Sequence, residues 1–591
     1  MLAADHPFVL LDDAGADDPA PARLYRNPIA TFAATRPGEV KELLAGVAAA
    51  TADGRHAAGW LAYEAGHALE PRLAPLACDG LLGWFGLFDE VERIAAADVP
   101  ALLPPAEGAW AGAPRPRIAR ADYAAAYAEV QARITAGDIY QANLTFPADV
   151  PVAGDPRALY AALRGRAAAR WSALVWTGER WLLSFSPELF FAVESGRITA
   201  RPMKGTARRG AGPAADAAAA AGLASDPKQR AENLMIVDLL RNDLARVAAA
   251  GSVAVPALFT VETYPTIHQL TSTVTATLAE GRTAADVLGA IFPCGSITGA
   301  PKIRAQEVIA AVEPEPRGVY TGAIGFAGPG GEAAFNVAIR TLDWRPGERC
   351  ATLGLGSGIV ADSLEAEEWG ECLAKAAFLG GGAGRFDLIE TMRFDPDEGL
   401  LRLEGHLTRM KASAEALGFA FDRHGTRNEL QAATFRLRSA ARVRLLLARS
   451  GAVTIEVGPL PPTPAGPMPV ALVRRALPAD DLRLRHKTSR REPHDAARAG
   501  AGTAEIVWVD EGGFVTEGSW STVFVERDDR LLTPPLARGL LPGVLRAELI
   551  ARGDAVEAEL TPADLAGGFW LGNALRGLWP AVAVAEGTPA L

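Results

Sequence analysis

Between Leu379 and Gly384 the chain runs Leu-Gly-Gly-Gly-Ala-Gly. Such a run has almost no side-chain surface to bury and a large backbone entropy to lose, so neither helix nor strand holds it. It has the composition of a flexible joint. It divides the 591 residues into a first domain, 1–380, a linker, 381–385, and a second domain, 386–591. Both parts are long enough to bury a core of their own. Patterning restarts after the joint with the strand-like Phe386-Asp387-Leu388-Ile389-Glu390-Thr391-Met392.

Composition removes several classes. With 49% hydrophobic and 22% charged residues the chain is globular. Its net charge of −11, with dispersed basic residues, argues against a nucleic-acid surface. Four cysteines, Cys78, Cys294, Cys350 and Cys372, form no C-x-x-C pair, so neither a zinc site nor a disulfide framework is expected. Met1-Leu2-Ala3-Ala4-Asp5-His6 lacks the basic start of a signal peptide, and no stretch reaches the roughly 18 apolar residues of a membrane span. The expectation is a cytoplasmic protein that contacts no membrane.

A helix is expected over Tyr123–Ala136, and residues 103–116, rich in Pro, Ala and Gly, read as a loop. Trp171–Trp176 and Trp181–Phe185 read as a hairpin turning at Thr177-Gly178-Glu179. Pro202-Met203-Lys204-Gly205-Thr206 reads as a turn. A lysine there is ordinarily solvated. Held in a cleft beside other cations, it becomes a nucleophilic amine. Leu234, Val237, Leu240, Leu244 and Val247 mark one face of a helix that begins near Glu232, with Asn242 and Asp243 off that face. Gly295-Ser296-Ile297-Thr298-Gly299-Ala300-Pro301-Lys302 is a Gly-rich turn able to face an anion, without P-loop spacing. Glu368, Glu371 and Lys375 share a helix face. Two acids so placed are usually solvated. Together with Glu232 they can hold magnesium, a hard cation that takes carboxylate and substrate oxygens.

In this order the blocks resemble the chorismate-utilising enzymes: anthranilate synthase and aminodeoxychorismate synthase component I, isochorismate synthase and salicylate synthase. The set comprises the Lys204 block, Ala231–Asp243, Gly295–Lys302 and Gly358-Ile359-Val360-Ala361-Asp362-Ser363. Lys204 in its Pro-hydrophobic-Lys-Gly-Thr setting is similar to the aminodeoxychorismate synthases, where anthranilate synthases typically carry alanine. The resemblance implies that Lys204 attacks the ring of chorismate at C2 with loss of the 4-hydroxyl, after which ammonia adds at C4 and the lysine leaves. It implies magnesium on Glu232 and Glu371 with Glu368 close by, and a chorismate site lined by Gly205, Thr206, Thr298, Tyr320, Arg340, Gly356, Ser357 and Gly358. His268 matches a family histidine near the leaving hydroxyl, a candidate general acid. No cysteine stands in a G-x-C-x-G turn, so ammonia is expected from a separate glutamine amidotransferase or from solution. Leu10-Leu11-Asp12-Asp13 falls where relatives have a strand edge lining a tryptophan pocket.

The second domain resembles fold-type IV pyridoxal-phosphate enzymes, a group of aminotransferases and aminodeoxychorismate lyases. The matching blocks are Gly405-His406-Leu407-Thr408-Arg409, His486-Lys487-Thr488, Thr516-Glu517-Gly518, Leu541–Arg546 and Gly572–Pro580. The resemblance implies Lys487 as the Schiff-base lysine and Glu517 against the pyridine nitrogen. Arg409, the backbone N–H groups of Val544 and Leu545, and Asn573-Ala574 would bind the phosphate. His494 stands where relatives often have an aromatic residue. The expected architecture is an α/β (α+β) chain. A sandwich of mostly antiparallel sheets with flanking helices comes first. Two α/β lobes holding the cofactor, with dimerisation through this domain, follow. The expected function is bifunctional: chorismate to 4-amino-4-deoxychorismate, then elimination of pyruvate to give 4-aminobenzoate for folate. The alternatives are anthranilate synthesis by the first domain, and an aminotransferase or an inert docking module as the second.

Overall fold

A computed structural model describes residues 2–15, 18–263, 267–380 and 386–584. The joint at 381–385 and the stretch Tyr264-Pro265-Thr266 lie outside the described residues. The chain forms two compact units that interleave in sequence. Unit 1 is Met1–Leu103, Ala113–Val150 and Tyr160–Gly380; unit 2 is Pro104–Gly112, Pro151–Leu159 and Gly381–Leu591.

Unit 1 is built on two sheets. In one, the central order is Cys350–Ile359, Thr341–Trp344, Trp181–Ser186, Trp171–Trp176, Phe8–Asp12 and Ala22–Arg26. In the other, Met203–Arg208, Ile267–Thr277, Arg197–Arg201, Leu189–Glu194, Ala333–Val337, Ala323–Ala327 and His56–Leu61 are neighbours. Pairing is antiparallel, as in the hairpin that sets Trp171 opposite Ser186 and Trp176 opposite Trp181. A buried cluster draws on strands of both sheets, with Val9, Tyr25, Val175 and Leu182 from one and Trp60 and Ile324 from the other. Each such side chain contributes about 1.5–3 kcal/mol by leaving water. A second cluster joins the other sheet to helices, among them Val40 and Leu44 of Glu39–Ala52 and Ile236, Val237 and Leu240 of Pro227–Ala245.

That last helix departs from the expected face. Leu234 is 44% exposed, while Asn233 and Asp243 are buried. Asp243 is tolerated inside because Lys302, 59 residues away, reaches it at 2.8 Å. Burial raises its carboxyl and the lysine opposes the rise.

Unit 2 has two sheets. One orders Gly399–Leu400, Leu388–Asp395, Ala441–Leu447 and Val453–Pro459, all antiparallel. The other is mixed: Met468–Arg474 runs parallel to both Glu505–Val509 and Gly577–Val584, and hairpin pairs complete it. Helix Leu403–Leu417 packs on the first sheet through Leu407, Met410, Ala414 and Leu417. No helix among the described residues is long and apolar enough to cross a membrane.

Candidate functional site

Lys204 stands on a strand, Met203–Arg208, where the sequence indicated a turn. Met203 is opposite Thr271 and Thr206 opposite Gln269, so an extra residue is accommodated at Lys204-Gly205. Bulges of this kind re-aim a side chain. The strand is fixed to helix Pro227–Ala245: Asn233 Nδ2 donates to the Lys204 carbonyl at 3.3 Å, and its Oδ1 accepts from Ser272 at 2.6 Å. Glu232, one residue before Asn233, is thereby brought into the field of Lys204.

The Lys204 amine lies against strand Cys350–Ile359 at Gly358. A Cβ there would stand 2.9 Å from Lys204 Nζ and 2.8 Å from Gln141 Nε2, so glycine alone leaves room for both. Gln141 is buried, and among the described residues neither end of its carboxamide has a hydrogen-bond partner. Among the described residues the Lys204 amine has no ion-pair or hydrogen-bond partner either. Buried polar groups are ordinarily satisfied, so the unsatisfied Gln141 amide next to the half-buried Lys204 amine marks a place for a polar ligand.

Glu188 completes this place. It follows Pro187 between strands Trp181–Ser186 and Leu189–Glu194, is buried, and accepts from Ser296 Oγ at 2.7 Å. Burial raises its carboxyl to about 7, against the pull of Ser296, Lys204 and Lys375. Lys204 shifts the other way. Burial and the neighbouring Lys375 lower it from the ordinary lysine range, while Glu232, Glu371 and Glu188 oppose the shift. Lys375 donates to the Gly356 carbonyl at 2.7 Å and pairs with Glu371 at 2.8 Å.

The other expected residues divide. Thr298 is buried, its hydroxyl donating to the carbonyls of Cys294 and Gly295 at 3.2 and 3.1 Å. Tyr320 keeps its proton well above the usual phenol range through burial, near Arg317 and Cys372. Arg340 follows strand Ala333–Val337 in a left-handed conformation, φ 52°. Ser357 is buried near Tyr123 and Cys372. Gly205 lies on the Lys204 strand and accepts from Gln269 Nε2 at 2.7 Å. Thr206 is exposed, its hydroxyl given to Gln269 at 3.0 Å. His268, expected beside a leaving hydroxyl, is instead buried and held at both ring nitrogens, by Asp216 at 2.9 Å and Thr263 at 3.1 Å. Glu188 is one of three acids, with Glu232 and Glu371, whose charge acts on Lys204.

The expected magnesium ligands form a loose acidic wall. Burial raises the Glu232 carboxyl, and Glu368 is among the charges adding to the rise. Glu368 accepts from Ser363 at 2.6 Å, and Glu371 is paired with Lys375. Among the described residues no three His, Cys, Asp or Glu side chains converge as a metal cluster. The donors still fit magnesium, which uses one or two protein carboxylates and fills its shell with water and substrate oxygens. Separately, a cavity of about 440 Å³ in unit 1 is lined by Leu11, Asp12, Asp13, Arg201, Met203 and Asn336. In it Asp12 is bound by Tyr160 at 3.0 Å and Arg164 at 2.6 Å.

Unit 2 gathers a second set. Burial lowers the Lys487 amine to about 7; Arg409 and Arg491 lower it further, and Glu390 opposes them. Glu517 is buried, accepts from the Leu541 N–H at 3.0 Å, and is raised by burial to about 8. Helix Val544–Arg552 starts with Gly543 as its N-cap and no side-chain cap, so its first N–H groups are available to an anion. The Arg409 fork is held by Glu390 at 2.8 and 2.6 Å, with its third nitrogen on the Pro542 carbonyl at 3.1 Å, just before that helix. Glu390 also holds His406 at 2.6 Å, whose buried Nε2 has no partner among the described residues. Asn573 turns its oxygen to the N–H groups of Leu575 and Arg576 at 3.0 and 2.9 Å and its amide to the Trp520 carbonyl at 3.4 Å; Ala574 is buried. Glu505 fixes the turn after Glu517, accepting from Ser519, Trp520 and Ser521. His494 is buried, edge-on to Trp508. A perturbed amine, a neutral carboxyl, an open helix start and an unpaired His406 nitrogen fit a phosphorylated pyridine aldehyde.

Gln141, Glu188, Glu390 and Glu505 were not singled out as site residues from sequence. The available signal was a lone polar residue in an apolar run, as at Ser186-Pro187-Glu188 between two strands of large hydrophobics.

Residues 6–380 match the family model for chorismate binding enzyme, and residues 387–584 that for amino-transferase class IV. Aminodeoxychorismate synthase component 1 of Klebsiella aerogenes is 45% identical over 262 residues, 44% of this chain and 57% of that protein. Anthranilate synthase component 1 of Methanothermobacter marburgensis is 40% identical over 251 residues, 42% of this chain and 54% of that protein. The chain thus spans about half the length of the curated relatives it matches. The crystal structure of anthranilate synthase component I from Streptococcus pneumoniae aligns with a TM-score of 0.53 and 25% identity, covering 62% of this chain and 93% of that one.

Proposed function

Because this chain belongs to the chorismate-binding enzyme family through residues 6–380, we propose that unit 1 aminates chorismate at C4 and that unit 2 removes pyruvate from the product to give 4-aminobenzoate. The observation that carries the first step is the Lys204 amine set against Gly358 next to the unsatisfied Gln141 amide, lowered by burial and by Lys375, with Glu188, raised to about 7, among the acids acting on it. Neutral Lys204 adds at C2, both ring double bonds shift by one position, and the C4–O bond breaks. Glu188 gives its proton to the departing hydroxyl, which leaves as water. Ammonia then adds at C4, both double bonds return, and the C2–N bond to Lys204 breaks. Gln141 orients polar groups at this face. Magnesium on Glu232 and Glu371 would bind the substrate carboxylate and offset charge as the hydroxyl leaves.

None of the four cysteines stands in a G-x-C-x-G turn, and burial pushes all four thiols up. The reading takes ammonia from a separate glutamine amidotransferase or from solution. In unit 2, bound pyridoxal phosphate supplies an electron sink. Lys487 is the group that takes and returns protons, Glu517 holds the ring-nitrogen proton, and the start of Val544–Arg552 with Arg409 holds the phosphate.

The test of the first step is chromatography of chorismate and ammonium incubated with the chain and with Lys204→Ala. The reading expects an aminated product only from the parent. The 40% identity to an anthranilate synthase component 1 favours a second reading, amination at C2. A fluorescent anthranilate product surviving in Lys204→Ala would replace the first reading with the second.

A further inference from the structure

Unit 2 is not made only of residues that follow the joint. Pro104–Gly112 and Pro151–Leu159 belong to it, although both lie in the sequence of the chorismate-binding half. Ala109–Ala111 pairs with the end of Gln141–Gly154, Ala109 opposite Gly154 and Ala111 opposite Val152. Trp110, 4% exposed, shares one core cluster with Phe386, Leu388, Leu417 and Leu482. The Arg449 guanidinium lies 5.0 Å from its ring and 4.6 Å from Phe419.

These contacts converge on the segment that carries Lys487. Leu482 opens the short helix Leu482–Arg485, and the His486 N–H donates back to it at 2.9 Å. Asp481 caps that helix and grips Arg483 at 2.9 and 2.6 Å. Gly108 lies against this carboxylate: a Cβ at Gly108 would meet Asp481 Oδ2 at 2.6 Å and its Cγ at 3.0 Å. Past Lys487, Arg490 donates to the Glu107 carbonyl at 3.1 Å and covers the Phe386 ring at 4.7 Å. In between, the Lys487 carbonyl accepts from the Ile389 N–H at 2.8 Å. The lysine segment is thus pinned in its middle by strand Leu388–Asp395 and at both ends by residues 107–110.

We propose that segment 104–112 is a positioning element for Lys487, so that cofactor binding by unit 2 depends on a piece of chain encoded inside the other half. A lysine that must reach one atom of a bound ring needs its backbone held to a fraction of an ångström, and the shell behind it supplies that. Residues 386–591 alone lack this support. The proposal rests on the reading of unit 2 as a pyridoxal-phosphate protein.

The experiment titrates pyridoxal phosphate into full-length apoprotein and follows the long-wavelength band of the bound cofactor and its pH midpoint. Amination of chorismate by the same samples reports on unit 1. Trp110→Ala and Gly108→Val are expected to weaken pyridoxal phosphate binding about tenfold or more and to move the pH midpoint, with amination unchanged. Trp110→Phe is expected to restore both. Parental affinity and midpoint in Gly108→Val would overturn the proposal, even if Trp110→Ala had unfolded unit 2. A parent chain that never binds the cofactor would overturn the reading of unit 2 instead.

Discussion

Lys204 and Lys487 are both amines lowered by burial and by a neighbouring cation, yet their surroundings are opposites. Around Lys204 one cation, Lys375, is set among Glu188, Glu232 and Glu371. Around Lys487 the cations Arg409, Arg491 and Arg444 outnumber Glu390. An acid-rich pocket can give a proton to a leaving hydroxyl and hold a divalent metal. An arginine-rich one beside a helix start can hold a phosphate. On the proposed function, the same nucleophile is fitted to direct attack on a ring in one unit and to cofactor chemistry in the other.

The sharpest break in this comparison is reciprocal. Lys204→Ala should cost chorismate amination at least about a thousandfold and leave the cofactor band intact, whereas Lys487→Ala should abolish the band and leave amination intact. Absorption spectra and product chromatography on the same two samples check it. Next, Glu188→Gln should lower kcat for amination by about 10²–10³. The sign of the pH profile follows from the shifts. Rate rises as Lys204 loses its proton and falls as Glu188 loses its own near pH 7, and the alkaline limb should vanish in Glu188→Gln. The smallest effect is Lys375→Met. Removing a charge that lowers both groups should move the whole profile to higher pH by about one unit. An unmoved profile would show that Lys375 does not set the field at Lys204.

Local pattern carried much of this fold. The hairpin at Trp171–Ser186 follows from two aromatic-rich runs around a Gly-containing turn, and helix Pro227–Ala245 from Val237, Leu240 and Leu244 at three- and four-residue spacing. Long-range partners were not legible. Asp243 looked like a surface acid because Lys302 is distant in sequence. Lys204 looked like a turn residue because the strand beside it, Ile267–Thr277, lies some sixty residues on. Residues 103–116 read as a loop from their Pro and Gly content, yet Trp110 is in a core whose other members follow the joint. At the candidate sites, the lysines and most carboxylates were named by motif. Glu188 and Gln141 were not, since what distinguishes them is burial of a polar group, a property of the fold.

The central claim is that one chain runs two consecutive lysine-dependent steps. The most direct test gives chorismate and ammonium, without glutamine, to the chain loaded with pyridoxal phosphate and to its Lys487→Ala variant, and separates the products. The account predicts 4-aminobenzoate and pyruvate from the parent and accumulated 4-amino-4-deoxychorismate from the variant. Anthranilate from both would contradict it.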